Sequence, residues 1–184
     1  MNAAIIYLAG FMGSGKSTIG PILANTLGWD FFDLDKVIEQ RAAKKIKEIF
    51  DESGEPYFRN LETETLIEVS RGRNLIIALG GGTIANEKNL EFIKRTGKII
   101  YLKASPEHVY ERLKHKRDRP VLLKNGAENL TKSEFIEKVN TLYNERRKYY
   151  ERADYTINTD NIPIGKTVDQ LAKLILKDSK KDYN

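Results

Sequence analysis

Four short clusters in this 184-residue chain hold the residue types that can do chemistry. The first is Gly10-Phe11-Met12-Gly13-Ser14-Gly15-Lys16-Ser17, which fits G-x-x-x-x-G-K-[ST]. Glycines at those positions let backbone N–H groups curl around an anion, and a helix opening behind them adds the positive end of its dipole. In such a loop Lys16 reaches the β- and γ-phosphates of a nucleotide, and Ser17 offers its hydroxyl to Mg²⁺. A glycine turn that only caps a helix has no need of Lys and Ser there. The cluster predicts a nucleoside triphosphate site and leaves open what receives the phosphoryl group.

The other three clusters are candidates for the acceptor side. Asp33-Leu34-Asp35 follows a short apolar run. In extended backbone its two carboxylates share a face, so that one orients metal-bound water and the other accepts a hydroxyl proton. A plainer reading is a helix cap, since Asp35 stands just before a helical stretch. Arg59 and Glu62 are three apart and therefore neighbours on a helix, an arrangement that also describes an ordinary surface ion pair. Leu79-Gly80-Gly81-Gly82-Thr83 ends a strand and presents N–H groups to a close ligand, or simply makes a tight turn.

The elements that must position these clusters alternate. Strands are expected at 4–9, 31–33, 74–79, 98–102 and 155–158. Helices are expected at 16–27, 35–43, 45–52, 56–71, 86–95, 106–115, 131–151 and 167–176, with a polar, frayed tail from Lys177. Gly54 and Pro56 punctuate the third and fourth helices, Ser105 caps the helix beginning at Pro106, and Thr131 with Glu134 forms a capping box. The stretch 116–130 has weak periodicity and reads as a mobile loop. Alternating strands and helices predict an α/β fold, a three-layer, doubly wound, five-stranded parallel sheet in one domain. The clusters then fall at the carboxyl ends of the strands, where such sheets bind ligands.

Composition narrows the function further. The chain has 31 Lys+Arg against 26 Asp+Glu, a net charge of +5, which suits an anionic partner and equally suits plain solubility. There are no cysteines, so disulfides, thiolate metal sites and cysteine nucleophiles are excluded. His108 and His115 do not cluster with carboxylates, so no histidine metal site is expected. No stretch approaches the roughly 20 apolar residues of a membrane span, and no basic run precedes the first apolar segment as in a secretory leader. A cytoplasmic protein without membrane or nucleic-acid partners is the expectation. Aromatic residues are not interleaved with basic ones on a strand face, as an RNA-binding surface would need. An Asn-Lys-x-Asp base-reading motif is missing, and no acidic residue ends the third strand. Both absences favour a small kinase whose metal is held by Ser17 and, through water, by Asp33. Trp29, after the helix-ending Gly28, reads as packing.

Taken together, the clusters resemble the shikimate kinase family, a group with the P-loop NTPase fold of the nucleoside monophosphate kinase type and a mobile lid. The resemblance runs from about Ala4 to Leu176. It rests on Gly10 to Gly20, Asp33-x-Asp35, Ile49-Phe50 with Gly54-Glu55-x-x-Phe58-Arg59-x-x-Glu62, Leu79 to Gly82, and Arg119-Pro120-x-Leu122-Leu123. It implies one kinase domain over 1–184, with the P-loop at 10–17, a shikimate-binding region at about 33–62 and a lid at about 114–127.

The resemblance also implies roles. ATP is bound by Gly13, Ser14, Gly15, Lys16, Ser17, Thr18, Arg112 and Arg119, with Arg112 stacking on adenine and 160–163 forming the adenine loop. Lys16 and Arg119 neutralise the transferring phosphoryl group. Asp35 holds the ring hydroxyls and is the candidate base. Arg59, with Glu62 beside it, and Arg146, four before Tyr150, grip the substrate carboxylate, while Gly81 and Gly82 offer N–H groups. The implied activity is ATP- and Mg²⁺-dependent phosphorylation of the 3-hydroxyl of shikimate, by a monomer, within aromatic amino-acid biosynthesis. The alternatives are another small-molecule kinase, gluconate kinase-like, and a silent nucleotide- or RNA-binding module. Within the stretch 114–119, Lys114, His115, Lys116 and Arg117 read as a solvated basic loop.

Overall fold

Side chains along the first strand, β1 (Ile5–Ala9), alternate between two buried faces, and every residue in it is buried. Such double burial is what parallel strands covered on both sides require. The computed structural model describes residues 4–114 and 131–181. In it β1, β2 (Asp30–Asp33), β3 (Leu75–Ala78), β4 (Lys98–Lys103) and β5 (Tyr155–Asn158) form one parallel sheet in the order β2-β3-β1-β4-β5.

Two cores follow from the alternation. Tyr7, Ile77, Ile99 and Tyr101 face one side, packed with Leu34, Ile38, Phe58, Leu66, Leu90 and Tyr150. These come from α2 (Leu34–Ala42), α3 (Ile46–Val69), α4 (Glu87–Thr96) and α6 (Lys132–Tyr150). Ile6, Leu8, Ile76, Ile100 and Leu102 face the other side, against α1 (Lys16–Leu27) and α7 (Ile164–Lys181). Each fully buried Leu or Ile is worth about 1.5–3 kcal/mol, so the sheet is clamped from both faces. A small third cluster joins Phe11, Val109, Leu113 and Val139, fastening α5 (Pro106–Leu113) and α6 to the loop after β1.

The expected elements are present, with two differences. The helices read at 45–52 and 56–71 are the two segments of α3, which meet at the kink where Gly54 adopts φ 79°, ψ 171°. α7 starts at Ile164 and continues to Lys181, where a frayed tail was expected. Its last turns are held because the Tyr155 hydroxyl donates to Asp178 at 2.7 Å. Asp33 ends β2 and Asp35 lies inside the first turn of α2, so the pair does not share an extended face. Neither carboxylate caps α2 through its side chain; Asp33 instead accepts a hydrogen bond from Ser17 Oγ. The capping box of Thr131 and Glu134, the Ser105 cap, the left-handed Gly28 stop and the packing role of Trp29 match the sequence reading. Of the lid expected at about 114–127, residues 115–127, Arg119 among them, lie outside the described residues.

Candidate active site

The loop leaving β1 needs positive-φ backbone at three points, Gly10 (φ 152°), Gly13 (φ 76°) and Gly15 (φ 108°), where a side chain would be strained. α1 starts directly behind them, at Lys16. Ser14 is completely buried and its Oγ has no hydrogen-bond partner among the described residues. A buried, unsatisfied hydroxyl at the centre of a cradle is the kind of atom a ligand satisfies. Lys16 Nζ folds back over the loop and donates to the carbonyls of Gly10 (2.7 Å) and Phe11 (3.2 Å). Gly13 to Ile19, Thr18 included, line a cleft of about 350 Å³ whose far wall is Arg112, Thr159, Ile162 and Ile164.

Arg112 ties that wall together. Its Nη1 donates to the Gly13 carbonyl (3.0 Å) and to Thr159 Oγ1 (3.3 Å), and its Nη2 to the Thr159 carbonyl (2.8 Å). Thr159 has no sequence signature of its own; only the fold brings it under Arg112. His108, one turn earlier on α5, meets Asp160 at 3.4 Å and Asn161 at 2.9 Å. The distance along the chain had hidden this carboxylate contact. Lys114 pairs with Glu111 on the surface, as a solvated basic residue does.

Ser17 Oγ donates to Asp33 Oδ2 at 2.6 Å at the mouth of the phosphate loop. This is an oxygen-only pair, the donor chemistry that Mg²⁺ takes when phosphates and water complete its shell. No group of three or more His, Cys, Asp or Glu able to cage a metal occurs among the described residues. The residues therefore fit a metal carried in with the nucleotide and not one held by a protein cage.

The acceptor side is built around Gly80-Gly81-Gly82. A Cβ on Gly80 would stand 2.7 Å from Asp35 Oδ1 and 3.1 Å from Glu62 Oε1. One on Gly81 would stand 3.0 Å from Arg146 Nη1, and one on Gly82 3.1 Å from both terminal nitrogens of Arg59. The three glycines are thus the floor on which four charged side chains, from α2, α3 and α6, converge. Glycine is required here by close approach, with none of the three in the left-handed region.

Three of the four converging side chains are held by hydrogen bonds. Arg59 Nη1 donates to Glu62 Oε2 at 2.9 Å, and Glu62, only 1% exposed, also accepts from Thr83 Oγ1 at 2.8 Å. The pair is therefore a buried device and not a surface bridge, which periodicity could not reveal. Arg146 Nη1 donates to the Gly81 carbonyl at 3.3 Å and its guanidinium lies 6.0 Å from the Phe11 ring centre. Tyr150 donates to the same carbonyl at 2.9 Å while stacked 4.9 Å from Tyr101. Arg147 turns outward to Glu151. Burial pushes the Asp35 carboxyl up to about 6; Lys16 pulls it down, and the negative charges of Asp33, Glu62 and Glu39 push it further up.

A site that pairs a P-loop with a carboxylate and two arginines gathered on one glycine turn also has known counterparts. The family model for shikimate kinase matches residues 12–176. The shikimate kinase of Chlorobaculum parvum is 44% identical over 172 residues, covering 94% of this chain and 92% of that protein. That of Chloroherpeton thalassium is 44% identical over 172 residues, with coverage of 94% and 92%. Among solved structures, the shikimate kinase of Acinetobacter baumannii in complex with shikimate superposes with a TM-score of 0.86 at 34% identity, covering 96% of this chain and 95% of that one. The enzyme from Bacteroides thetaiotaomicron gives a TM-score of 0.84 at 34% identity, covering 94% and 98%. The chain, folded as a P-loop kinase whose glycine turn gathers a carboxylate and two arginines, belongs to the shikimate kinase family.

Proposed function

We propose that the chain transfers the γ-phosphoryl group of ATP to the 3-hydroxyl of shikimate, releasing ADP and shikimate 3-phosphate. ATP-dependent phosphorylation of shikimate follows from the family; the roles of individual residues are our reading. The convergence of Asp35, Arg59 and Arg146 on Gly80–Gly82 is the observation that carries it. A hydroxylated acid needs two things there: cations for its carboxylate and an acceptor for its hydroxyl proton. Two guanidiniums and one half-buried carboxylate, gathered on the same glycine turn, supply both. A neutral acceptor bound only through hydroxyls would give Arg59 and Arg146 no ligand carboxylate to hold.

Arg59 and Arg146 hold the substrate carboxylate, and the Gly81 and Gly82 amides border the ring. Asp35 takes the proton from the attacking hydroxyl as its oxygen bonds to the γ-phosphorus and the bond to the ADP oxygen breaks. Burial prepares Asp35 for this by making its carboxyl a better proton acceptor than an exposed one. Gly13, Ser14, Gly15, Thr18 and Arg112 seat the nucleotide, with Lys16 released from the loop carbonyls to the phosphates and Arg119 joining it. Mg²⁺, when bound with ATP, supplies charge neutralisation across the β- and γ-phosphates. Ser17 would hold it directly and Asp33 through water. Positioning and charge carry most of the acceleration in such a transfer.

One domain over 1–184 is our reading of the single sheet, and a cytoplasmic monomer with no membrane or nucleic-acid partner that of the surface. In keeping with this, no helix among the described residues is long and apolar enough to cross a membrane. The test is ADP release with Mg²⁺-ATP, with and without shikimate, beside Arg59→Ala. Shikimate-dependent release that collapses in the variant supports the reading; release indifferent to shikimate overturns it.

A further inference from the structure

Arg59 is engaged on two edges. Glu62 takes Nη1, and Glu55 Oε1 accepts from both Nε (3.2 Å) and Nη2 (3.1 Å). The two acids differ in everything but charge. Glu62 is buried and braced by Thr83, whereas the Glu55 side chain is 62% exposed and has no other hydrogen bond or ion pair among the described residues. The Nε–Nη2 edge that Glu55 covers is one that a guanidinium uses to grip a carboxylate side-on.

We propose that Glu55 is an internal competitor of the substrate carboxylate at Arg59, an inference that rests on Arg59 being the carboxylate-binding residue. The geometry gives Arg59 one permanent partner and one exchangeable partner. Glu62 sets the direction of the guanidinium from below, and Glu55 occupies its open edge until an anion displaces it. Two carboxylates on one guanidinium leave that group with a net charge of −1; with Arg146 and the ionised Asp35 the cluster still sums to −1, a poor field for an arriving anion. Release of Glu55 takes one negative charge out of the cluster at the moment of binding.

The local backbone makes that release cheap. Gly54 breaks α3, so Glu55 and Pro56 open its second segment. A carboxylate at the start of a helix is favoured by the free amides and the dipole there, so Glu55 has a second home when it leaves Arg59. Displacing it also selects the ligand: a fully ionised carboxylate competes for the edge, whereas a neutral hydroxylated molecule does not. Glu55 is in this sense a specificity-determining residue acting through Arg59.

The experiment compares the wild type with Glu55→Gln, Glu55→Asp and Arg59→Ala in steady-state kinetics with shikimate and ATP, with direct shikimate binding by calorimetry. Exposed ion pairs of this type are weak, so Glu55→Gln is expected to lower the KM and Kd for shikimate about two- to fivefold while the KM for ATP stays put. Glu55→Asp, one methylene short of the Nε–Nη2 edge, is expected to tighten shikimate too. An unchanged or raised Kd in Glu55→Gln overturns the proposal and makes Glu55 a brace that orients Arg59. Wild-type affinity in Glu55→Asp overturns direct competition in favour of charge alone. Arg59→Ala separates the two levels: if it does not weaken shikimate binding, the carboxylate-binding reading itself fails.

Discussion

Arg146 reaches the Gly81 carbonyl at 3.3 Å, while Arg147, the next residue, points away to Glu151. One step along α6 rotates a side chain by about 100°, so only one of two adjacent arginines faces the glycine turn. Arg146→Ala is expected to reduce kcat/KM for shikimate by about 10- to 100-fold, the range for a charged hydrogen bond to a carboxylate. Arg147→Ala should stay within about twofold, since it removes an exposed pair. Equal losses in the two variants, measured in the coupled ADP assay, would contradict the assignment.

Gly80 leaves no room for a side chain beside Asp35, the would-be Cβ lying 2.7 Å from Oδ1. Gly80→Ala therefore displaces Asp35, the proposed acceptor of the hydroxyl proton. A misplacement of about 1 Å at a reacting group costs on the order of 10²-fold in rate. The loss should fall on kcat and leave nucleotide affinity intact, which a fluorescent-nucleotide titration checks. A wild-type kcat would show that Asp35 is not positioned through this contact.

Asp35 should trade stability for function. Its folded-state pKa of about 6 lies above the ordinary 3.8, so the folded protein holds this proton more tightly than the unfolded chain does. That contribution is complete below about pH 3.8 and is lost as the pH rises through about 6. At neutral pH the ionised group costs roughly 1–3 kcal/mol. Asp35→Asn is expected to cut turnover severely yet raise the Tm of the metal-free protein, in EDTA, by a few degrees near pH 7.5. The gain should vanish towards pH 4. Thermal melts across that range provide the measurement, and a variant less stable at neutral pH would contradict burial as the cause of the shift.

The 2.6 Å bond between Ser17 and Asp33 predicts an ordered loss of metal dependence. Chelation of Mg²⁺ should abolish ADP formation in every variant. Asp33→Asn should raise the Mg²⁺ concentration for half-maximal rate by several-fold, and Ser17→Ala by more, because a direct ligand is lost and not a water-mediated one. Mg²⁺ titrations at fixed ATP give the order; the reverse order would exchange the two roles.

The phosphate loop was readable in the chain because its chemistry is local: Gly10 to Ser17 carry the turn geometry, the lysine and the serine in one segment. The strands and most helix ends were readable for a similar reason, since alternation, caps and left-handed glycines act over a few residues. α7 was underestimated at its end because the Tyr155–Asp178 bond that holds it spans two elements. The Asp33–Asp35 pair was misjudged geometrically because the strand ends between them, and a period of two no longer applies.

The acceptor half of the site divides the same way. Types and order of residues, Asp35, Arg59, Glu62, Gly80 to Gly82 and Arg146, are set by the sequence, and with them the chemistry of an anion clamp beside a proton acceptor. That Glu62 is buried under Thr83, that Thr159 locks Arg112, and that Glu55 covers the open edge of Arg59 are decisions of the tertiary structure. Burial and the meeting of residues from separate elements depend on how helices seat on the sheet. A carboxylate 1% exposed and one 62% exposed look alike in a one-letter string. Only packing tells the permanent partner of an arginine from the one a ligand can replace.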